Sequence, residues 1–176
     1  MILFWAKGFE ATSVSDLTLA MGIGTTSLYA AFGSKDDLYA EALSLYCKAY
    51  EHLTLGRFRS AATAREAVLA YLQASAVAMT GAGCGLPPSC MVNLGTVGSD
   101  GRDELAEQMR QAREVAFQIF TTRLQRAVAE GELPPSLDVS KLARYFQTLQ
   151  SGMAIRARDG ADDKELMAVA ELAAAG

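Results

Sequence analysis

The chain has 176 residues, of which 51% are hydrophobic and 20% charged, with a formal net charge of −4. That length supports one or two small domains with a real core. No apolar run approaches the ~18 residues of a membrane span, so the composition describes a globule rather than a membrane protein. The opening Met1 to Trp5 is too short, and too soon followed by Lys7 and Glu10, to be a signal peptide. The three cysteines, Cys47, Cys84 and Cys90, make an odd count with neither a disulfide framework nor zinc spacing. A cytoplasmic protein is expected.

Met1 to Lys7 reads as a helix whose Phe4 and Trp5 belong to the core, with Phe9 packing behind the link that follows. Val14, Leu17 and Met21 then fall at i, i+3 and i+7, one apolar face of a two-turn helix. Thr12 or Ser13 is placed to cap it, and Asp16 suits the positive end of its dipole. Gly22 and Gly24 flank Ile23, which permits a sharp turn around one apolar side chain. A second helix follows, with Leu28, Ala31 and Phe32 directed at the first and the short polar Thr25, Thr26 and Ser27 facing away. That is the requirement of a helix-turn-helix: one helix braces while the second offers hydrogen-bonding side chains to base edges.

The run Leu28-Tyr29-Ala30-Ala31-Phe32-Gly33-Ser34-Lys35-Asp36-Asp37-Leu38 closely resembles the end of the DNA-binding domain of the tetracycline-repressor (TetR) family of bacterial regulators. There the recognition helix ends in Leu-Tyr-x-x-Phe, and a Ser-Lys-acidic-x-Leu step enters the next helix. Leu3-Phe4 and Lys7-Gly8-Phe9-x-Ala11-Thr12-Ser13-Val14 are similar to the family's first helix and its link to the second. The resemblance covers about the first fifty residues. It implies an all-α protein, with a three-helix DNA-binding domain over residues 1–50 and a helical ligand-binding and dimerisation domain over 51–176. Family members carry a longer first helix and often a basic arm before it, so a native segment preceding Met1 is expected.

Residues 1–50 hold Lys7, Lys35 and Lys48 against five acidic residues, an unusual balance for a DNA binder. By resemblance, Thr25, Thr26, Ser27 and Tyr29 would read bases, with Thr12, Ser13 and Lys35 on phosphates. Ala30 and Ala31 stand where the family often has an aromatic residue and a histidine, so a phosphate contact is expected to be lost. Short hydroxyl readers discriminate less than arginine on guanine, and the operator sequence is not legible.

Beyond the motif, Lys35 to about Leu53 reads as a long helix capped by Ser34. Leu38, Ala42, Leu45 and Ala49 form one stripe, and Tyr39, Tyr46 and Tyr50 a second. Gly56 to Ala62 reads as a connection, and Thr63 to Thr80 as a helix burying Val68, Leu72, Ala76 and Met79. Gly81 to Pro88 is irregular. A short helix spans Ser89 to Leu94, and a glycine-rich loop covers residues 95–101. The longest helix runs from Arg102 to Ala129 and ends before Gly131 and Pro134-Pro135. Another runs from Val139 to Ala157, capped by Asp138 or Ser140, and a last one begins at Asp162 or Asp163 and ends near Ala174.

The family's small inducers bind in the body, and Cys84 and Asn93 loosely resemble the segment beside that cavity. Candidate lining residues are Tyr71, Ser75, Met79, Cys84, Met109, Arg113, Phe117, Phe146, Gln147 and Gln150. Methionine and aromatic side chains suit a hydrophobic or aromatic ligand, with Arg113 and the glutamines orienting it. The family also pairs its last two helices across a two-fold axis, which assigns Tyr145, Thr148, Gly152, Ile155, Leu166, Val169, Ala170 and Ala173 to a homodimer interface.

The expectation is a ligand-responsive repressor: a homodimer bound to a double-stranded, near-palindromic operator and released by a small effector, with no membrane partner, cofactor or metal. The alternative is a helical ligand-sensing dimer that acts through a protein partner. An enzyme is not expected, because no nucleophile is paired with a base. The lone His52 has no nearby Glu-x-x-His or Cys partner.

Overall fold

The computed structural model describes residues 1–81, 85–94 and 103–175; Cys84, the loop 95–101 and Arg102 lie outside them. The described residues are all-α, as the patterning predicts, with nine helices and no strand. They are α1 (Ile2–Lys7), α2 (Val14–Met21), α3 (Thr25–Phe32), α4 (Lys35–Ser60), α5 (Ala64–Thr80), α6 (Met91–Leu94), α7 (Asp103–Ala129), α8 (Val139–Arg158) and α9 (Asp163–Ala175).

The helix starts follow from local chemistry. Ser13, not Thr12, caps α2: its hydroxyl accepts from Asp16 N–H, and the Asp16 carboxylate accepts from Ser13 N–H, both at 3.0 Å. Ser34 caps α4, Asp138 caps α8, and Thr63 with Glu66 forms a second reciprocal box at α5. Asp162 accepts from Glu165 N–H at the start of α9. Gly22 ends α2 in the left-handed region (φ 67°), which makes the turn into α3. Gly81 ends α5 the same way, and a Cβ there would sit 2.6 Å from the Leu86 carbonyl, so only glycine fits.

Two expectations about α4 are corrected. The helix does not stop near Leu53 but continues through Gly56 to Ser60, because Leu55 and Phe58 are buried beneath it and anchor the last two turns. Its inward faces carry Leu38, Tyr39, Ala42, Leu43 and Tyr46, whereas Leu45 and Ala49 of the expected stripe are exposed. The expected boundary at residue 50 therefore falls inside one uninterrupted helix.

In the head, Phe4 and Phe9 stack at 6.2 Å between centroids, and both meet Tyr39 edge-on at 5.0 and 5.2 Å. Leu17 of α2 and Leu28 of α3 are buried against this cluster, while Ala31 and Met21, expected to face inward, are exposed. In the body, α5 is the central helix, packed by α4, α7, α8 and α9. Phe58, Tyr71, Phe120 and Phe146 form a chain of aromatic contacts through its core.

Candidate functional site

The first site is the outer face of α3. Thr25, Thr26 and Ser27 are exposed on its first turn, and Tyr29 follows at 44% exposure. Leu28 is fully buried and fixes the helix to α2 and α4. Gly24 occupies the N-cap without a side-chain bond, so the first turn of α3 presents backbone N–H groups beside three hydroxyls. These are short, neutral hydrogen-bonding groups on a braced helix, the equipment for a major groove.

Flanking groups divide. Ser13 is exposed at the start of α2. Thr12 is not available to a phosphate: it is fully buried, and its hydroxyl donates to the Gly8 carbonyl at 2.6 Å and the Leu3 carbonyl at 3.4 Å. It closes the turn after α1, a role its resemblance to a contact residue concealed. Lys35 lies half-buried with its ammonium 4.2 Å from the centre of the Phe9 ring. Lys7 pairs with Asp16 at 3.4 Å, and the two Ser13 hydrogen bonds hold the Asp16 carboxyl below its ordinary range.

The second site is a cavity of about 220 Å³, open on one side to solvent and lined by α4, α5, the Cys90–Asn93 segment, α7 and α8. Of the expected lining, it brings together Tyr71, Arg113 and Gln150, along with Asn93. Gln150 donates to the Tyr50 hydroxyl at 3.0 Å and accepts from Asn93 at 3.5 Å, which sets a polar row across one wall. Arg113 donates to the Val92 carbonyl at 3.3 Å. Sequence reasoning missed Tyr46, Cys47, Tyr50, Thr54 and Cys90, which line the same space. Burial pushes the Cys47 thiol up to about 11 and raises Tyr46, Tyr50, Tyr71 and Cys90, with the neighbouring Cys90 adding to the three tyrosines. At neutral pH these phenols and thiols stay protonated, so this part of the wall carries no charge.

The other expected ligand contacts are placed elsewhere. Met79 and Phe146 are core side chains, and Met109 is buried with its sulfur accepting from the Tyr39 hydroxyl at 3.6 Å. Ser75 is fully buried on α5 against Tyr50. Gln147 ties α8 to α7 by donating to the Arg113 carbonyl at 2.7 Å, and Phe117 lies under the Arg144 guanidinium at 3.8 Å. Cys84 lies outside the described residues.

On α8, Tyr145 and Ile155 are 50% and 52% exposed, Thr148 is exposed and Gly152 is half-buried. On α9, Val169 and Ala173 are half-buried and Leu172, not foreseen, is exposed. Leu166 and Ala170 are fully buried on the face of α9 that packs against α5, so neither is free for a second chain. Among the described residues no cluster of three or more metal-ligating side chains exists, and no helix is long and apolar enough to cross a membrane.

A braced reading helix, joined by one long helix to a body with a cavity, defines a helix-turn-helix transcriptional regulator. Comparison with known proteins agrees. The model of the family described as bacterial regulatory proteins, tetR family, matches residues 1–42. The chain is 32% identical over 172 residues to the HTH-type transcriptional repressor ComR of Escherichia coli (strain K12), covering 97% of this chain and 81% of that one. A structure of the TetR family regulator CifR, a cysteine mutant complexed with 26-bp operator DNA, superposes with a TM-score of 0.93 at 31% identity, covering 99% and 91% of the two chains. A TetR regulator from Rhodococcus sp. RHA1 is 40% identical, with a TM-score of 0.65 and coverage of 98% and 92%. The chain belongs to the TetR family of bacterial regulators and is a DNA-binding transcriptional regulator.

Proposed function

We propose that the protein is a dimeric repressor whose two heads, residues 1 to about 50 of each chain, bind a near-palindromic operator. A small hydrophobic or aromatic effector in the α4–α8 cavity releases it. The observation that carries this reading is the combination of an exposed Thr25-Thr26-Ser27-Tyr29 surface with a cavity lined by α4, the helix that also supports α3. Thr25, Thr26, Ser27 and Tyr29 are the proposed base readers, and Ser13 and Lys35 the proposed phosphate contacts. Tyr145, Thr148, Gly152, Ile155, Val169 and Ala173 are the proposed dimer surface. In the cavity, Tyr50, Asn93, Arg113 and Gln150 orient the effector. It can shift the operator-bound state only by its differential affinity for the two states.

The test is selection of bound sequences from a random duplex pool at low salt, using the full chain. A palindrome is expected, with half-sites about one helical turn or a multiple apart, ~34 Å per turn. Its affinity falls steeply with salt and drops when Tyr29 becomes alanine. A dimer that enriches no sequence would favour action through a protein partner instead.

A further inference from the structure

We infer that Ser89 is a positioning residue that clamps the DNA-binding head to the wall of the cavity through Trp5. Ser89 has a φ of 121°, and it is the one residue other than glycine with a positive φ among the described residues. L side chains rarely adopt that conformation, and it persists where surrounding bonds impose it. Two such bonds are present. Ser89 N–H donates to the Met79 carbonyl at 2.6 Å, at the end of α5. The Ser89 hydroxyl accepts from the indole N–H of Trp5 in α1 at 3.3 Å, with both residues buried.

The clamp adjoins the cavity through its neighbours on both sides. Cys90, the next residue, lines it beside Tyr46. Trp5 meets Tyr46 edge-on at 5.0 Å, and Tyr46 lines the cavity as well. A strained residue therefore stands between the DNA-binding head and one wall of the cavity. If Ser89 relaxes to a negative φ, its hydroxyl turns away from Trp5 and Cys90 moves with the backbone. The clamp releases α1 and displaces the wall in one step. What drives that step in the cell rests on the effector reading above; the clamp itself does not.

The test needs no effector. Trp5 is the only tryptophan in the chain, so tryptophan fluorescence reports the surroundings of this residue alone. It also borders an open groove on the α1–α4–α5 side that admits a small quencher. Ser89→Ala removes the acceptor, and the acrylamide quenching constant of Trp5 is expected to rise at least twofold with the helical content unchanged. Unchanged quenching overturns the clamp, whatever the protein binds. On the selected duplex, Ser89→Ala and Trp5→Phe are each expected to weaken binding about fivefold or more, and the double variant no further than the worse single. Multiplying effects in the double variant would mean that the two act separately, which also overturns it. Ser89→Gly, which folds without strain, is expected to weaken the duplex as Ser89→Ala does while raising the melting temperature above that of Ser89→Ala. If no duplex is enriched, the repressor reading fails, while the quenching experiment still decides the clamp.

Discussion

Arg123 and Glu132 set up an asymmetry that a pair of substitutions exposes. Arg123 is 7% exposed on α7 and Glu132 25% exposed in the turn that follows, with 3.5 Å between Nη2 and Oε2. The same Nη2 donates to the Ala62 carbonyl at 3.3 Å, while Nη1 has no partner. Glu132 also accepts from Ala64 N–H at 2.5 Å, so the pair pins the α4–α5 turn to the end of α7. Glu132→Gln keeps that last bond but leaves a buried guanidinium facing one carbonyl. Breaking a buried pair this way costs ~3–5 kcal/mol, and the long 3.5 Å contact argues for about 3. Arg123→Met removes the buried charge and keeps much of the stem's packing. Glu132 retains Ala64 and part of its solvent, and the Ala62 carbonyl loses one bond, for a cost of about 1–2 kcal/mol. With a urea slope of ~2 kcal/mol per molar, the midpoints fall by about 1.5 M for Glu132→Gln and 0.5–1 M for Arg123→Met. The assay is urea unfolding followed by circular dichroism at one fixed protomer concentration, because dimerisation makes midpoints concentration-dependent. An Arg123→Met loss equal to or larger than that of Glu132→Gln would refute the reasoning and make the ion pair a net source of stability.

Other outcomes follow from the same coordinates. Burial raises the Cys47 thiol to about 11 and the Tyr39 phenol to about 12, both above their ordinary values of 9.0 and 10.0. The native state then keeps protons that the unfolded chain has lost. Melting temperature is expected to hold below pH 9 and to fall as pH rises toward 11, and a flat profile across that window would contradict the burial. Tyr29→Ala is expected to cost ~1–3 kcal/mol of operator affinity by anisotropy titration, with no loss of melting temperature. Ser13→Ala removes a cap and is expected to cost ~1 kcal/mol of stability as well as operator affinity. Thr12→Val should cost stability but leave the salt dependence of DNA binding unchanged. Ile155→Glu on the exposed face of α8 is expected to give monomers by sedimentation velocity with the helical spectrum intact.

Helix order was legible because caps and breakers are local. Ser34, Thr63 and Asp138 mark their helices in the sequence, and Gly81 marks an end by a steric requirement that no distant residue alters. The end of α4 was not legible. Gly56 reads as a breaker, yet it sits exposed in a helix whose course is decided by Leu55 and Phe58 finding partners on α5 and α7. The cavity was half-legible for a related reason. A helix face that lines a void carries the same periodic signal as one that packs against another helix. Tyr71, Arg113 and Gln150, which line the cavity, therefore read the same as Met79 and Phe146, which are core. The error over Leu166 and Ala170 is of the same kind: α9 has two apolar faces, and only packing against α5 decides which of them is spent inside the chain.

The two sites are most directly joined by α4, and its position explains why its sequence is hard to read. Its first turns carry Tyr39, which meets Phe4 and Phe9 of the head, and its middle carries Tyr46 and Tyr50, which stack at 5.8 Å. Tyr46, Tyr50 and Thr54 face two spaces at once: the polar-walled cavity, and a larger apolar groove of about 610 Å³ beside Trp5 and Leu53. A helix with voids on two sides is held by fewer side-chain contacts than one in a filled core, and displacing it forfeits less dispersion energy. At its far end the turn into α5 is fixed by Arg123 and Glu132. With that end held, rotation of α4 about it produces its largest displacement at the head. A small occupant of the cavity can thus act on α3 without touching it, and Glu132→Gln, which loosens the pivot, should reduce effector response more than it reduces operator affinity.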